Sequence, residues 1–292
     1  MEKYNVIIYH KDNDGRCAAA VAYRALRIAQ DLDIMLFEMD YDKAFPQLPE
    51  NIEKLYLLDF SFGKNTMKKF VDLVGFDKIV WLDHHISAIN QLKEYEKLEG
   101  RRTEKWSGAM LTWKWFNPDE KIPYVVELVD AYDRWQMKYG DDTLNFYEYS
   151  LGLDLDDIAG KTWSELLWLD KDVLKIKIEN GDELRKRRHE ELRKLAKEIG
   201  VPMKIQWKGK EYTCLKINEN NHINTSLLGE IIYNEMGYDI AHMWYVKKSP
   251  KTGKLIKVNH MRSVTVDVSR IAAKMGGGGH PNACGWNEDF RE

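Results

Sequence analysis

The stretch that decides the fold is "IIYHKDNDGRCAAAV", residues 7–21. It begins as a β-branched apolar run, which is typical of a buried strand, and it ends in an alanine-rich segment, which favours a helix. Between the two lie His10, Asp12 and Asp14. Because like charges this close repel one another, two carboxylates crowded beside an imidazole indicate a site that takes up a cation.

The alternation of strand and helix continues along the N-terminal half of the chain. Short apolar runs predict strands at 4–9, 34–40, 54–60 and 78–83. Helical patterns at 15–30 and 64–74 lie between them. This order predicts an α/β fold with a parallel sheet and right-handed crossovers.

Metal-type ligands follow three of these predicted strands. They are His10, Asp12, Asp14, Asp59, Asp83, His84 and His85. Ligands of open α/β sheets collect beyond the carboxyl ends of the strands, so we expect these side chains to meet. Mixed carboxylate and imidazole ligands favour Mn²⁺, with Mg²⁺ or Co²⁺ as substitutes, and the set is too large for one ion. We expect two Mn²⁺ ions bridged by Asp59, which stands alone on the middle loop.

Structural roles for some of these residues stay open at this point. Asp12 or Asp14 can cap the helix that begins near Gly15. His84 and His85 can each be histidines of the core. Neighbouring residues of a strand point to opposite faces, so only a loop or a strand end brings both histidines into one site.

A fourth acidic pair lies in residues 107–135, a segment that predicts helices. Asp130 and Asp133 stand at i, i+3 spacing on one helix face, so either or both can reach the metals. Asp133 is the preferred ligand. The alternative is a solvated helix end in which Arg134 pairs with one of the two acids.

The remaining chain predicts a linker and a second, smaller domain. Residues 155–200 are rich in charge at helical spacing and predict a helical linker. Residues 201–292 alternate short strands with two helices, which predicts a mixed-sheet α/β domain for substrate binding. We therefore expect a catalytic domain over 1–154, the linker over 155–200 and the second domain over 201–292.

The second domain carries candidate anion contacts. They are Arg262, Ser263, Gly277, Gly278, Gly279 and His280. Arg262 can hold a phosphate bidentately, and the Ser263 hydroxyl can add a contact. Four consecutive glycines exceed the needs of a helix cap, so their amides predict a nest for an anion beside His280. A surface role for Arg262, and a cap formed by Gly276 alone, are the alternatives.

Composition limits the classes of partner. The chain has 292 residues and a net charge of -3, which argues against a protein that coats long nucleic acid. The start "MEKYNVIIYH" has no signal-peptide pattern, and the sequence holds no apolar run of bilayer length. Three cysteines without a paired pattern fit a reducing compartment, so we expect a cytoplasmic protein without a membrane partner.

These motifs, taken together, resemble the DHH phosphoesterase superfamily. The matching segments, in order, are "HKDNDG" (10–15), "LLDFS" (57–61), "WLDHH" (81–85), "VDAYDRW" (129–135), "MRS" (261–263) and "GGGGHPNACG" (276–285). The pattern looks most like the oligoribonucleases of the nanoRNase B kind. The resemblance implies that Asp12, Asp14, Asp59, His84 and Asp133 hold metal, with His10 as a further ligand. It places His85 near the scissile phosphate, so that Asp59 and His85 form the catalytic pair.

The expected activity is a metal-dependent 3′-to-5′ exonuclease that releases 5′-mononucleotides from short single-stranded RNA or DNA, with a homodimer left open. Two alternatives keep the same chemistry: a phosphatase of 3′-phosphoadenosine 5′-phosphate, and a phosphodiesterase of linear or cyclic dinucleotides. A non-catalytic nucleotide-binding module is a third alternative from another class.

Overall fold

The computed structural model describes residues 3–29, 33–41, 43–219, 223–249 and 252–290. The chain divides into two units, Met1–Arg185 and Lys186–Glu292. Among the described residues, no helix combines the length and the apolar character that crossing a membrane requires.

The N-terminal unit is built on a parallel five-stranded sheet of order β2-β1-β3-β4-β5. Its strands are β1 (Tyr4–His10), β2 (Asp33–Met39), β3 (Ile52–Leu58), β4 (Ile79–Asp83) and β5 (Glu99–Arg102). Val6, Ile7 and Ile8 are fully buried because both faces of the sheet are covered. The predicted α/β class and parallel sheet are confirmed.

Helices cover both faces of this sheet. The helices of this unit are α1 (Asn13–Ala29), α2 (Lys64–Val74), α3 (Ile86–Gln91), α4 (Gly108–Phe116), α5 (Tyr124–Asp133), α6 (Asp141–Ser150), α7 (Lys161–Trp168) and α8 (Lys171–Ile178). A further helix, α9 (Gly181–Ile199), begins in this unit and continues into the C-terminal unit. One core joins Ile7 and Leu82 of the sheet to α1, α4 and α5, while Ile8 and Trp81 pack with α2 on the opposite face. Alternate residues of a strand thus feed two separate cores.

The segment expected as a linker is divided between the two cores. Trp163, Leu167 and Leu174 of α7 and α8 belong to the N-terminal core. Leu192 and Ala196 of α9 pack with apolar residues of the C-terminal unit. The boundaries at 154 and 200 stay a prediction.

The C-terminal unit is a mixed six-stranded sheet of order β10-β11-β9-β8-β7-β6, in which β7 and β8 are parallel and the other neighbours are antiparallel. Its strands are β6 (Val201–Trp207), β7 (Lys210–Asn218), β8 (Ile240–Lys248), β9 (Leu255–Arg262), β10 (Gly278–His280) and β11 (Ala283–Asp289). Its helices are α10 (Thr225–Glu230), which continues as a π-helical turn over Ile231–Glu235, and α11 (Ser269–Lys274). The predicted mixed sheet is confirmed.

The glycine run forms a helix end and a hairpin strand. Gly276 has φ +79° just after α11 and its amide donates to Ala273 O, as a helix cap requires. The Gly277 amide donates to Ala272 O over 2.9 Å. Gly278 and Gly279 then pair with β11. The backbone of Gly277, Gly278 and Gly279 thus has partners within the unit, and the anion nest at this run stays a prediction.

Candidate metal centre

The first strand end brings His10 and Asp12 together. His10 Nδ1 lies 2.7 Å from Asp12 Oδ2, while Asp12 Oδ1 accepts a hydrogen bond of 2.8 Å from the Gly15 amide. A Cβ on Gly15 would lie 2.2 Å from His10 O, so only glycine lets the helix start this close to the strand. Asp12 thus caps α1 and also faces the site.

Asp59 follows β3 and occupies the centre of the site. It has φ +52°, a left-handed conformation that is rare outside glycine, and its amide donates to Leu82 O over 2.8 Å. Asp59 is only 1% exposed, and neither of its carboxylate oxygens has a hydrogen-bond partner among the described residues. Its nearest ring nitrogens are His84 Nε2, 3.2 Å from Oδ1, and His10 Nδ1, 3.7 Å from Oδ2. Strained backbone and unpartnered buried oxygens are typical of a functional group.

His84 connects three carboxylates. Its Nε2 lies 3.2 Å from Asp59 Oδ1, 3.3 Å from Asp133 Oδ2 and 3.6 Å from Asp14 Oδ2. The side chain of His84 is buried just after the end of β4, where the polypeptide turns toward α3. Asp133 is thus the residue of the segment 129–135 that lies at the site.

His85 is held by its neighbour Asp83. The Asp83 carboxylate accepts from the His85 amide over 3.1 Å, from Trp81 Nε1 over 3.2 Å, and lies 2.8 Å from His85 Nδ1. Asp83 is fully buried. The sequence marked Asp83 only as a ligand candidate, whereas the structure gives it a second role, since it fixes the ring of His85.

The start of α4 closes the buried side of the site. The amides of Gly108 and Ala109 donate to the two oxygens of Asp14 over 2.6 and 2.9 Å. A Cβ on Gly108 would lie 2.3 Å from Asp59 Cβ, so the helix approaches Asp59 only because residue 108 is glycine. Gly108 was not among the predicted site residues; the small residues after Ser107 in "SGA" were the available signal.

Asp130 does not join the group. Its Oδ1 accepts a hydrogen bond of 2.8 Å from the Ser107 amide, and its Oδ2 lies 3.4 Å from Arg134 Nη1. Among the described residues, three groups have the spacing of metal ligands: Asp59, His84 and His85; His10, Asp12 and Asp59; and Asp14, His84 and Asp133. Asp130 is absent from all three, and its carboxylate serves the junction of α5 with α4.

Burial and crowding shift the proton affinities of these groups in different directions. Burial raises the pKa of Asp14 well above its usual value, and the Asp59 charge raises it further. Burial and the Asp59 charge raise the pKa of Asp133 to about 6 against the opposing effect of His84. Burial opposes protonation of His84, but the charges of Asp133 and Asp59 outweigh it and raise its pKa to about 11.

The residues present fit divalent ions. The unpartnered oxygens of Asp59 are buried acceptors, and Asp59 belongs to two of the three ligand groups. His84 belongs to two groups as well. Carboxylate and imidazole donors within 4.8 Å of one another suit Mn²⁺ and related ions, and a bound cation relieves the repulsion among the acids.

The predicted anion contacts of the C-terminal unit have partners inside the fold. Arg262 Nη2 donates to Thr225 Oγ1 and Nη1 to Met261 O, each over 3.0 Å. Ser263 is fully buried; its hydroxyl donates to Asp239 O over 2.7 Å and accepts from the Val266 amide. This hydroxyl is used within the fold, and its contact with substrate stays a prediction. His280 ends β10 and is half-buried.

Known proteins with this fold support the resemblance. The pGpG-specific phosphodiesterase PggH from Vibrio cholerae is 13% identical, with a TM-score of 0.52, and the match covers 98% of this chain and 94% of that one. An exopolyphosphatase-related protein from Bacteroides fragilis is 16% identical, with a TM-score of 0.52, over 100% of this chain and 88% of that one. The chain therefore has the fold of the DHH phosphoesterases.

Comparisons based on the sequence alone find less similarity to known proteins than the comparison of folds does. No family model matches the chain. An uncharacterized protein of Acanthamoeba polyphaga mimivirus is 24% identical over 235 residues, which are 80% of this chain and 52% of the viral protein. The chain thus spans about half the length of the curated relative that it matches.

Proposed function

We propose that this chain is a divalent-metal-dependent phosphodiesterase that releases 5′-mononucleotides from the 3′ end of short oligonucleotides. The observation that carries the proposal is Asp59, a buried carboxylate that has no hydrogen-bond partner in the part of the chain that the structure describes and that belongs to two groups of candidate ligands. The names of the two solved structures with this fold, a phosphodiesterase and an exopolyphosphatase-related protein, support phosphoester chemistry.

Each side chain of the centre has a defined task in this proposal. Two divalent ions would be held by His10, Asp12, Asp14, Asp59, His84 and Asp133. Divalent ions bound there would supply Lewis acidity for the phosphodiester and would lower the pKa of the attacking water. His85, whose ring is held by Asp83, would donate a hydrogen bond to a phosphate oxygen of the substrate.

The charge of the chain supports short substrates. A net charge of -3 leaves little positive surface to neutralise a long phosphate backbone. The buried free cysteines Cys17, Cys214 and Cys284 are in keeping with a reducing, cytoplasmic setting. The phosphatase and dinucleotide alternatives share the same centre, so the substrate has to be decided by product analysis.

The test uses the Mn²⁺-loaded protein and five substrates: labelled RNA and DNA pentamers, a linear dinucleotide, a cyclic dinucleotide and 3′-phosphoadenosine 5′-phosphate. We expect stepwise shortening of the pentamers with release of 5′-mononucleotides. Asp59→Asn should reduce the rate by more than about 100-fold, since it removes the shared ligand.

The matched control is Asp72→Asn, which changes an exposed acid paired with Lys68 on α2 and should keep the wild-type rate. Full activity of Asp59→Asn would contradict the role of the centre. An absence of product from all five substrates would contradict the proposed activity.

A further inference from the structure

A second buried carboxylate lies in the C-terminal unit, outside the metal centre. Glu219 follows β7, and its amide donates to Trp244 O of β8 over 2.8 Å. The residue is 8% exposed, and its Oε2 has no hydrogen-bond partner among the described residues. Burial of an unsatisfied carboxylate oxygen is costly, so such a group points to a ligand that supplies hydrogen-bond donors.

Strand register places two aromatic rings on the same face of the sheet as Glu219. Ile217 pairs with Met243, and Met243 pairs with His260, so these three residues share one face. Tyr245 stands two residues beyond Met243 in β8, and Glu219, the first residue after β7, continues the pairing with β8 through its amide, so both point to that face as well. The rings of Tyr245 and His260 are stacked, with centroids 6.1 Å apart and planes 23° apart.

Arg262 stands two residues beyond His260 in β9 and so points to the same face. A Cβ on Gly229 would lie 2.7 Å from Arg262 Cβ, so the missing side chain of Gly229 makes room for the arginine. The Thr225 hydroxyl accepts from Nη2 and fixes the guanidinium. Burial raises the pKa of Glu219 to about 7, while the Arg262 charge opposes that rise. Burial, with the Arg262 charge, lowers the pKa of His260 to about 4, so its ring is neutral at pH 7.

We propose that Glu219, Tyr245, His260 and Arg262 form a nucleobase pocket that selects guanine. This inference rests on the proposed function, because it names the base that the enzyme prefers at a nucleotide of its substrate. The Glu219 carboxylate accepts from N1–H and the 2-amino group, the two adjacent donors on the Watson–Crick edge of guanine. Arg262 donates to O6 or N7, and the stacked rings contact the face of the purine.

The other bases match this set of groups less well. Adenine and cytosine offer one amino group beside a ring nitrogen that only accepts, and uracil places its N3–H between two carbonyl oxygens. A carboxylate facing those acceptors is repelled. Guanine is therefore the base whose donors and acceptors both find a partner.

The first experiment measures kcat and KM of the Mn²⁺-loaded enzyme on the dinucleotides pGpG, pApA, pCpC and pUpU. We expect kcat/KM to be about tenfold or more higher for pGpG. Glu219→Gln should remove that preference through KM, so that kcat/KM on pGpG falls about tenfold or more toward the value on pApA. Glu211→Gln, at an exposed glutamate of β7, is the matched control and should keep the preference.

Ligand variants provide a second readout that needs neither turnover nor a mutant. Calorimetry on the wild-type enzyme compares guanosine, inosine and adenosine 5′-monophosphates; inosine keeps N1–H but lacks the 2-amino group. We expect the guanosine nucleotide to bind about tenfold or more tightly than either. Equal binding of the three, or a guanine preference that survives in Glu219→Gln, would overturn the pocket. Guanine-selective binding without product from any of the five test substrates would support the pocket and contradict the proposed function.

Discussion

The ring of His85 is positioned by Asp83, a residue that does not contact the substrate in the proposed function. Asp83 accepts from both the backbone amide and, at 2.8 Å, the ring nitrogen Nδ1 of His85. In Asp83→Asn the weaker and partly mismatched amide loosens the ring, so we expect kcat to fall about 10- to 100-fold while KM changes little. Steady-state kinetics on the pentamer measures the effect, and circular dichroism verifies the fold. A wild-type kcat would contradict the positioning role.

Gly108 offers a second test, because Asp59 occupies the space that a side chain at position 108 would need. Gly108→Ala adds a methyl group 2.3 Å from Asp59 Cβ, so α4 or the loop after β3 has to shift. We expect a loss of about 1–3 kcal/mol in the free energy of unfolding, together with a large loss of activity. Gly63→Ala is the matched control, since a Cβ there meets nothing within 4 Å. Urea denaturation and rate measurements compare the two variants.

The candidate metal ligands of the centre are predicted from the sequence better than the residues that position them. His10, Asp59 and His84 stand at strand ends, and the parallel topology alone brings strand ends together. The roles of Asp83 and Gly108 depend on tertiary contacts that no spacing reveals. Gly108 touches a residue 49 positions away in the sequence, and only the folded chain shows that approach.

The two acids of α5 separate into a structural and a site-facing role. Asp130 accepts from the Ser107 amide and so ties α5 to the start of α4, whereas Asp133 lies 3.3 Å from His84 Nε2. Asp130→Ala leaves a buried amide unsatisfied, so we expect about 1–3 kcal/mol of destabilisation with Mn²⁺ binding retained. Asp133→Ala should instead weaken Mn²⁺ binding. Calorimetric Mn²⁺ titration and urea denaturation of both variants decide, and weaker Mn²⁺ binding in Asp130→Ala alone would reverse the assignment.

Among the secondary-structure elements, those with a strong apolar period are predicted well. The strands at 4–9 and 78–83 agree with β1 and β4, and the helix at 64–74 has the predicted ends. The edge strand β5 was not predicted, because "EGRR" has no apolar pattern and its residues are partly exposed. The hairpin of β10 and β11 was not predicted either, since a run of glycines carries no side-chain pattern.

At the scale of the whole chain, metal binding should stabilise one unit and not the other. The three ligand groups lie entirely in the N-terminal unit, between His10 and Asp133. Ligand binding to the folded state adds stability as the logarithm of concentration, about 4 kcal/mol at 1,000 times Kd. We expect chelation to raise amide hydrogen exchange in the peptides that contain β1, β3 and β4.

Mass spectrometry of exchanged peptides, with and without Mn²⁺, measures this difference. The peptides of β7, β8 and β9 serve as the internal control and should exchange at the same rate in both conditions. Equal protection of the N-terminal peptides with and without the ion would contradict a metal centre.

The C-terminal unit should lose stability in acid because two of its histidines are buried and neutral. Burial lowers the pKa of His242 to about 4, although the hydrogen bond to Asn259 partly opposes this, and burial with the Arg262 charge lowers that of His260 to about 4. Their unfolded pKa is about 6.5, so the unfolded chain binds more protons between pH 6.5 and 4. The histidine contribution to the free energy of unfolding therefore falls as the pH falls through that window.

Glu219 contributes to the free energy of unfolding with the opposite pH dependence, so a Glu219 variant tests the prediction. Burial raises its pKa to about 7, so between its unfolded pKa of about 4.5 and pH 7 the folded state holds the extra proton and gains stability as the pH falls. Between about pH 6.5 and 4.5 the destabilisation from two histidines exceeds the stabilisation from one glutamate. The free energy of unfolding therefore falls by about 1.4 kcal/mol per pH unit. Glu219→Gln should steepen this dependence. Hydrogen exchange of the β8 and β9 peptides in urea at pH 7.5, 6 and 5 measures both slopes, and a slope that becomes shallower in Glu219→Gln would contradict the assignment.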